Sequence, residues 1–295
     1  MLGVINLDKP IGPTSHDMVG LLRRLTGTRR IGHAGTLDPL ASGVLPILVD
    51  AATRFSADLT GGPKRYDAVI RLGWRSATDD GQGPILRGGP IPSVDEAVAA
   101  LPSLVGSFDQ RPPAFSARKV GGQTGHRAAR AGTPLELPER RVTVERIVLL
   151  ETDAADDYLD LRIDLRCGAG TYVRSIARDL GERLGCGGYL AGLRRTEAAG
   201  LRVADARSPE ELEALAAADR LEEAMLPVSD LLPLPRIQLT APQAERFAHG
   251  SLVPVDGGPG DGRAAVLSDG RLLGIGRLVA GILHPEKVVA AAVGE

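Results

Sequence analysis

The sequence is poor in cysteine and in aromatic residues, and it contains no long hydrophobic run. Its 295 residues include two cysteines, Cys167 and Cys186, whose spacing is not that of a metal site or a redox pair. We expect both to be buried, reduced thiols, as in cytoplasmic proteins. No apolar run approaches the roughly 20 residues that span a bilayer, and the N-terminus has no signal-peptide pattern. These absences argue against a membrane protein or a disulfide-stabilised secreted protein and predict a cytoplasmic location.

Sequence patterns for cofactor binding are also scarce. The five histidines, which include His16, His33 and His126, show no close ligand spacing. Residues 167–171, Cys-Gly-Ala-Gly-Thr, join a predicted strand to a predicted helix, as phosphate-binding loops do. The segment lacks the lysine of the G-x-x-x-x-G-K-[ST] motif and the full dinucleotide spacing. A nucleotide-binding enzyme is therefore a minor alternative, and we expect no metal or nucleotide cofactor.

Positive charge is concentrated in two parts of a chain that is nearly neutral overall. The formal net charge is −2, which argues against a uniformly basic nucleic-acid-binding protein. Arginines nevertheless cluster within residues 23–30, and a second basic segment covers residues 111–141. Acidic residues are concentrated elsewhere, in 151–157 and 210–223. A nearly neutral total can therefore conceal one basic face suited to nucleic acid; the alternative is a set of solvated helix surfaces, which such clusters more often are.

Hydrophobic patterns predict a globular protein made of both strands and helices. Hydrophobic residues make up 43% of the chain and charged residues 24%, which is typical of a soluble domain. Residues 65–72 alternate apolar and polar, the pattern of a half-buried strand, and 44–49 form an apolar run typical of a buried strand. Ser15 is the predicted N-cap of a helix that ends before Gly27. The other predicted elements include strands at 3–7, 142–150 and 158–167 and helices at 93–101, 171–184 and 209–217.

Changes in composition divide the chain. The proline-rich stretch 227–235 separates residues 1–230 from a small unit, 231–295, whose short apolar runs and glycine-rich turns predict an all-β domain. A unit of about sixty residues has only a marginal core, so we expect it to pack on the larger one. Within the larger unit, residues 121–138 are glycine-rich and basic, which predicts an insertion that becomes ordered on a partner.

The most informative segment is 32–43, Gly-His-Ala-Gly-Thr-Leu-Asp-Pro-Leu-Ala-Ser-Gly, between two predicted strands. Pro39 disfavours a helical backbone at Asp38, and the nearby glycines permit tight turns and the close approach of another backbone or a nucleobase. A carboxylate held in this way is a candidate for covalent chemistry. The alternative is an Asx turn, in which Asp38 only accepts hydrogen bonds from its own backbone.

This segment resembles the catalytic loop of the TruB-type tRNA pseudouridine synthases. The resemblance continues in four further motifs in the family's order, so that five motifs cover roughly the first two thirds of the chain. The further motifs are Leu-Asp-Lys-Pro at 7–10 with Gly12, Ser15 and His16, Lys-Arg-Tyr at 64–66, Gly-Thr-Tyr-Val-Arg at 170–174, and Gly-Gly-Tyr-Leu at 187–190 with Leu-Arg-Arg at 193–195.

The resemblance implies an α+β fold in two domains. Residues 1–230 would form the catalytic domain on a mixed, mainly antiparallel sheet, with an inserted thumb segment at 111–141 that grips RNA. Residues 231–295 would form a small all-β domain similar to the PUA RNA-binding domain. The alternation of elements alone also fits an α/β fold.

The resemblance assigns catalysis to three residues. Asp38 would be the essential carboxylate, acting at the base, at the sugar C1′, or as a base that removes a sugar proton. An ionised, desolvated carboxylate needs a nearby cation, and Arg174 in the first turn of a predicted helix is the implied partner. Tyr66 would stack on the target uracil and take part in proton transfer at C5; the alternative is an ordinary core aromatic residue.

Four further residues are implied as substrate contacts. Tyr172 and Leu193 match positions that line the base pocket of the family. His33 lies in the catalytic loop, where the resemblance gives it a substrate contact. Lys9 is expected to be a structural or phosphate-contacting residue and not a catalytic one.

The function that the resemblance implies is isomerisation of uridine to pseudouridine at position 55 in the T loop of tRNA. The target base must be flipped out of the RNA to reach Asp38, and we expect a monomeric protein whose partner is the T stem-loop. Phe115 stands where the family usually has a tyrosine, and Gly125-His126 replaces a hydrophobic-tyrosine pair. These differences concern how the insertion binds RNA. The alternatives are a synthase for another RNA and a non-catalytic RNA-binding or RNA-folding protein.

Overall fold

The computed structural model describes residues 2–115, 119–120, 123–124, 135 and 137–289. The helices are α1 (Ser15–Thr26), α2 (Ser56–Thr60), α3 (Val94–Ala100), α4 (Val173–Arg183), α5 (Pro209–Ala217), α6 (Val228–Leu231) and α7 (Ala241–Ala248). The strands are β1 (Gly3–Lys9), β2 (Ile31–His33), β3 (Ala41–Val49), β4 (Lys64–Leu72), β5 (Trp74–Ser76), β6 (Ile85–Arg87), β7 (Gly106–Gln110), β8 (Lys119–Val120), β9 (Gln123–Thr124), β10 (Arg140–Ala155), β11 (Tyr158–Cys167), β12 (Gly188–Ala198), β13 (Leu201–Arg202), β14 (Met225–Leu226), β15 (Arg236–Gln238), β16 (Val253–Pro254), β17 (Gly262–Ser268), β18 (Arg271–Val279) and β19 (Ile282–Val288). None of the helices within these residues is long and apolar enough to cross a membrane.

A large mixed sheet forms the centre of the first domain. Its strand order is β14-β1-β3-β12-β4-β11-β10-β7, with β2 added beside β3 and β13 beside β12. The β12–β3 pair is parallel, and the other strand pairs described in this sheet are antiparallel. The prediction of a mixed, mainly antiparallel sheet is therefore confirmed.

Burial along the strands explains their sequence patterns. Every residue of β3 is buried, because helices and strands cover this part of the sheet on both faces, and the strand is accordingly a continuous apolar run. Strand β4 alternates between buried and more exposed residues, so one of its faces packs in the core with helix α4. Helices α1 and α5 pack with β1 and β3 in a second cluster.

The predicted helix boundaries are close to the observed ones, with one correction. Thr14, not Ser15, is the N-cap of α1, and it forms a capping box with Asp17. Ser15 instead directs its hydroxyl to the backbone of Leu37 in the Asp38 loop. The predicted C-terminal glycine is confirmed, since Gly27 adopts a left-handed conformation with φ of 68°.

The C-terminal domain is a second sheet packed on the first domain. Its strand order is β15-β17-β18-β19-β16, and helix α7, which the sequence analysis did not predict, lies against these strands. One hydrophobic cluster includes Phe55 and Leu59 of the first domain and Leu267 and Ile275 of the second. The small domain therefore shares part of its core with the larger one, as its size predicted.

The basic insertion begins and ends at neighbouring strands of the central sheet. Gln110, the last residue of β7, is paired with Arg140, the first residue of β10. Within the intervening segment, β8 and β9 pair with each other. His126 and most of the glycine-rich stretch lie outside the described residues. The first residues of the segment, 110–115, run along helix α4, which brings them to the functional site described next.

Candidate active site

The Asp38 loop connects β2 to β3 and is held in place by hydrogen bonds from distant segments. Ser15 Oγ donates to the carbonyl oxygen of Leu37 at 2.9 Å, and the Leu37 N–H donates back to Ser15 Oγ at 2.8 Å. The backbone N–H of Gly12 donates to the carbonyl oxygen of Pro39 at 2.8 Å. The loop is thus fixed on both sides of Asp38, as a reactive side chain requires.

Asp38 and Arg174 form an ion pair between parts of the chain that are far apart in sequence. Arg174 Nε lies 3.0 Å from Asp38 Oδ2, and the two side chains are 5% and 31% exposed. Helix α4 begins at Val173, so Arg174 lies in its first turn as predicted. The carboxylate is open to a reactant, while its cationic partner is almost completely buried.

The guanidinium of Arg174 is held by a second carboxylate and by two carbonyl oxygens. Its Nη1 donates to Thr78 O at 3.1 Å and lies 3.5 Å from Asp80 Oδ2, and its Nη2 donates to Phe115 O at 2.9 Å. Asp80 is buried and accepts from Thr78 Oγ1 and from the backbone N–H of Gln82. The sequence analysis missed Asp80; the available signal was the pair of adjacent acidic residues, Asp79 and Asp80, that follows the predicted half-buried strand 65–72.

A cavity of about 320 Å³ opens next to this ion pair. Its volume falls in the range of about 300–1,000 Å³ that is usual for small-molecule sites. The lining residues are Asp38, Pro39, Thr78, Asp80, Gln82, Phe115 and Arg174. A larger cavity of about 890 Å³ lies between the two domains, and none of the predicted site residues lines it.

Tyr66 lies on β4 with its ring buried in the core. Burial raises the pKa of its phenol, whereas the positive charge of Arg195 lowers this pKa; the Asp38 carboxylate makes a smaller contribution that raises it. Tyr66 is thus close to Asp38 without being among the residues that line the cavity. A neutral phenol in this position can take or give a proton only when a reactant replaces part of its surroundings.

Arg195, on β12, is a further site residue that sequence reasoning did not single out as functional. It is fully buried, and it donates to Val44 O at 2.7 Å, Gly35 O at 3.0 Å and Thr36 O at 3.3 Å. In the described part of the chain it forms no ion pair with a carboxylate. The guanidinium therefore has carbonyl oxygens as its hydrogen-bond acceptors, and it fixes the loop that carries Asp38.

The other predicted contact residues have different surroundings. His33 is half-buried; burial and Arg195 lower the pKa of its imidazole, and its Nδ1 has no hydrogen-bond partner among the described residues. Tyr172 is the N-cap residue of α4, where its backbone exchanges hydrogen bonds with the Gln110 side chain. Leu193 lies on β12 and packs between two core clusters.

Lys9 has an internal role in the structure. It is fully buried, and its Nζ donates to Pro10 O and Pro13 O, both at 2.8 Å. Burial lowers the pKa of its ammonium to about 8, although Asp38 acts in the opposite direction. These contacts favour a structural role of Lys9 over contact with a phosphate, because the ammonium already has two acceptors in the turn between β1 and α1.

The arrangement supports nucleophilic or general-base chemistry by a carboxylate. Asp38 has one oxygen paired with a buried cation, an adjoining cavity that can admit a flat reactant, and a nearby phenol. The alternative of a phosphate-binding loop at 167–171 is not favoured, because the backbone N–H groups of Gly168 and Tyr172 already donate to Thr143 O at 2.8 Å and Gln110 Oε1 at 2.9 Å. Both cysteines are free and buried, as predicted.

Comparison with known proteins gives consistent matches along the chain. Residues 23–173 match the TruB family pseudouridylate synthase (N terminal domain). Residues 174–233 match the tRNA pseudouridylate synthase B C-terminal domain, and residues 235–289 match the domain called pseudouridine synthase II TruB, C-terminal. The boundary between the last two matches lies within the proline-rich stretch that the sequence analysis used to separate the domains.

Relatives of known name cover most of the chain. It is 40% identical over 301 residues to tRNA pseudouridine synthase B of Ralstonia pickettii, a match that covers 97% of this chain and 94% of the relative. It is 47% identical over 213 residues to the protein of the same name from Corynebacterium aurimucosum, with 72% of each chain covered.

Solved structures with the same fold come from RNA–protein complexes. A chain of the archaeal box H/ACA sRNP Nop10-Cbf5 complex superposes with a TM-score of 0.73 at 26% identity, covering 97% of this chain and 85% of the other. A chain of an H/ACA RNP bound to a substrate RNA containing 2′-deoxyuridine gives a TM-score of 0.74 at 24% identity and shows the shared fold. The matches over more than half of the sequence and the motifs around Asp38 lead to one conclusion: this chain belongs to the TruB family of pseudouridylate synthases.

Proposed function

We propose that this protein isomerises uridine to pseudouridine at position 55 in the T loop of tRNA, with Asp38 as the essential carboxylate. The observation that carries the proposal is the Asp38–Arg174 ion pair, which leaves the carboxylate partly exposed beside a cavity. Membership of the TruB family and relatives named tRNA pseudouridine synthase B support the reaction and the class of RNA. The position within tRNA is taken from the motif resemblance.

The reaction is an internal rearrangement with no net oxidation or reduction. The bond between N1 of uracil and C1′ of ribose breaks, the base turns over, and a bond forms between C5 and C1′. The C5 proton leaves and N1 gains one, so atoms and charge balance without another reactant. Asp38 acts on the base, on C1′ or as a base toward a sugar proton, and Tyr66 is the candidate for proton transfer at C5.

The target base must leave its stack in order to reach Asp38. Extrusion costs a few kcal/mol, and contacts with the RNA backbone and stacking on aromatic rings offset this cost. Arg24, in the last turn of α1, is exposed, as are Arg29 and Arg30 between α1 and β2, and these side chains can contact phosphates. His33, Tyr172 and Leu193 are the proposed contacts of the flipped nucleotide. We further propose that the protein acts as a monomer in the cytoplasm.

Incubation with an unmodified tRNA T stem-loop, followed by chemical mapping of pseudouridine, tests the proposal. We expect modification at uridine 55 and none in a control stem-loop that has cytidine at this position. A parallel incubation with ribosomal RNA fragments tests the alternative of another RNA substrate. Modification only in the ribosomal fragments would overturn the tRNA assignment, and stable binding without modification of any RNA would favour an RNA-binding or RNA-folding protein.

A further inference from the structure

A second arginine of helix α4, Arg178, contacts both segments that hold the guanidinium of Arg174. The two arginines are four residues apart, so their side chains leave the same face of the helix. Arg178 is 12% exposed, and its charge is paired with Asp79 Oδ2 at 2.9 Å from Nη1 and with Asp179 Oδ1 at 2.7 Å from Nη2. Its Nη2 also donates to the carbonyl oxygen of Arg111 at 2.9 Å.

The first of these segments is the turn at 78–80, which supplies two of the acceptors of Arg174. Asp79 lies between Thr78, whose carbonyl oxygen accepts from Arg174, and Asp80, whose carboxylate faces Arg174. Asp79 has a φ of 60°, a left-handed conformation that aspartate adopts more readily than most other non-glycine residues. Besides the contacts of Arg174 itself, the pair with Arg178 is a second side-chain contact that joins this turn to helix α4.

The second segment is 110–115, the beginning of the basic insertion. Arg178 Nη2 and Ser175 Oγ both donate to the carbonyl oxygen of Arg111, at 2.9 and 2.8 Å. Four residues later, the carbonyl oxygen of Phe115 accepts from Arg174 Nη2. The segment is therefore held against α4 at Arg111 and itself holds Arg174 at Phe115.

Through these contacts Arg178 affects the direction in which Arg174 Nε points, and so the contact of Arg174 with Asp38. A guanidinium is planar, and its five N–H donors have fixed directions, so the acceptors around it determine where each nitrogen points. Thr78 O and Phe115 O fix the two terminal nitrogens of Arg174, and the remaining Nε then points at Asp38. Displacement of either acceptor would rotate Nε away from the carboxylate.

We propose that Arg178 is a positioning residue for catalysis, which keeps Arg174 aligned with Asp38 by fixing both acceptor segments to helix α4. The expected effect on the reaction rate rests on the proposed function. The expected effect on the Arg174–Asp38 contact rests only on the hydrogen bonds of Arg178. Substitution of Arg178 is expected to reduce the rate of the chemical step once RNA is bound, because Arg178 does not line the cavity and acts on the reaction only through the alignment of Arg174.

The kinetic test compares the kcat of Arg178→Met with that of wild type in multiple-turnover reactions on the T stem-loop. We expect kcat at saturating RNA to fall at least tenfold; the Kd for RNA is measured separately, because Arg178 also holds the start of the basic insertion. Arg178→Lys keeps the charge beside Asp79 but cannot reach Asp79 and Arg111 together, so it should recover only part of the rate. Wild-type kcat in Arg178→Met at saturating RNA would overturn the proposal.

Arg71→Met serves as the matched control for a loss of stability. Arg71 forms a partly buried, two-bond pair with Asp160 at 2.7 and 2.6 Å on the same sheet and does not contact Arg174. We expect it to lower the Tm and to leave kcat unchanged. If kcat falls in both variants in proportion to the loss of Tm, Arg178 affects only the stability of the fold, and the proposal is wrong.

A crystal structure of Arg178→Met separates this inference from the proposed function. We expect the Arg174 Nε to Asp38 Oδ2 contact, 3.0 Å in wild type, to be lost or spread over several conformers. An unchanged contact would overturn the positioning role, whatever the RNA substrate. A wild-type protein that modifies no RNA would instead overturn the proposed function, and the structural result would still decide the role of Arg178.

Discussion

Three cationic side chains hold Asp38 or the backbone segments next to it, and each has different hydrogen-bond partners. Arg174 contacts the carboxylate itself, Arg195 holds the carbonyl oxygens of the loop, and Lys9 holds the turn that lies against Pro39. Burying a cation beside neutral acceptors costs free energy that hydrogen bonds recover only partly. These residues therefore serve the local electrostatics of the site more than the stability of the fold.

The titration of Lys9 tests this interpretation at a single residue. Burial lowers the pKa of Lys9 from 10.5 to about 8 in the folded protein. Between these values the unfolded chain binds more protons, so this residue makes the folded state more stable as the pH rises. We expect the difference in unfolding free energy between wild type and Lys9→Met to change by about 3 kcal/mol across this range. Urea denaturation at several pH values measures it, and a constant difference would contradict the buried ammonium.

At the scale of elements, strands β3 and β12 approach each other closely just behind the Asp38 loop. Gly43 pairs with Arg195 in the parallel register of these strands and has a φ of 102°. A Cβ atom at this position would lie 2.2 Å from the carbonyl oxygen of Arg195. The glycine thus allows β12 to bring Arg195 and Leu193 to the site.

Replacement of Gly43 by alanine is expected to separate the two strands. Both the positive φ and the contact with backbone atoms oppose a side chain, so Gly43→Ala should lower the free energy of unfolding by about 3 kcal/mol. Gly20→Ala is the control, because Gly20 lies in helix α1 with no atom within 4 Å of the added Cβ. This variant should gain about 1 kcal/mol. Equal denaturation midpoints for the two variants would contradict the account of the β3–β12 contact.

Local sequence patterns predicted the elements well and their partners poorly. The alternation at 65–72 and the apolar run at 44–49 identified β4 and β3, because burial of one face or of both leaves a local signal. Helix α7 was missed, since its eight residues lie among short strands and glycine-rich turns. Arg195 and Asp80 were missed as site residues because their roles depend on contacts with segments far away in the sequence.

At the scale of the whole molecule, a carboxylate of the first domain holds the C-terminal domain. Asp58, on α2, is 6% exposed and pairs with Arg263 at 2.8 Å and Lys287 at 2.6 Å, which are 33% and 29% exposed. Burial raises the pKa of Asp58, but hydrogen bonds from Lys287 and Arg263 outweigh it, so the pKa is lowered overall. The two domains are thus joined by charge as well as by their shared hydrophobic cluster.

Loss of this carboxylate should weaken the attachment of the domains. We expect Asp58→Asn to cost about 2 kcal/mol at pH 7, less than a fully buried pair because the cations retain solvent. The contribution is present above the ordinary Asp pKa of 3.8 and is lost as the pH falls through the lower folded-state pKa. Urea denaturation at neutral and acidic pH measures this. The control Asp230→Asn breaks an exposed pair with Arg236 and should change little; an equal effect of both variants would contradict the account.

The division of the chain illustrates what sequence alone can establish at this scale. The change in composition at 227–235 marked the start of a second unit, and the ordered motifs indicated a pseudouridine synthase fold. The ion pairs of Asp58 were not predictable, because they join residues more than two hundred positions apart. The same limit applies to the site, where the motifs named Asp38 and Arg174 but not the acceptors that align them.

The central claim is that the carboxylate of Asp38 reacts while the rest of the site binds and holds the RNA. Single-turnover reaction of Asp38→Asn with the unmodified T stem-loop, combined with a measurement of its Kd, tests this most directly. Asparagine keeps the size of the side chain and an oxygen for Arg174, so we predict RNA binding like that of wild type and no pseudouridine. Formation of pseudouridine by Asp38→Asn at the wild-type rate would contradict the account.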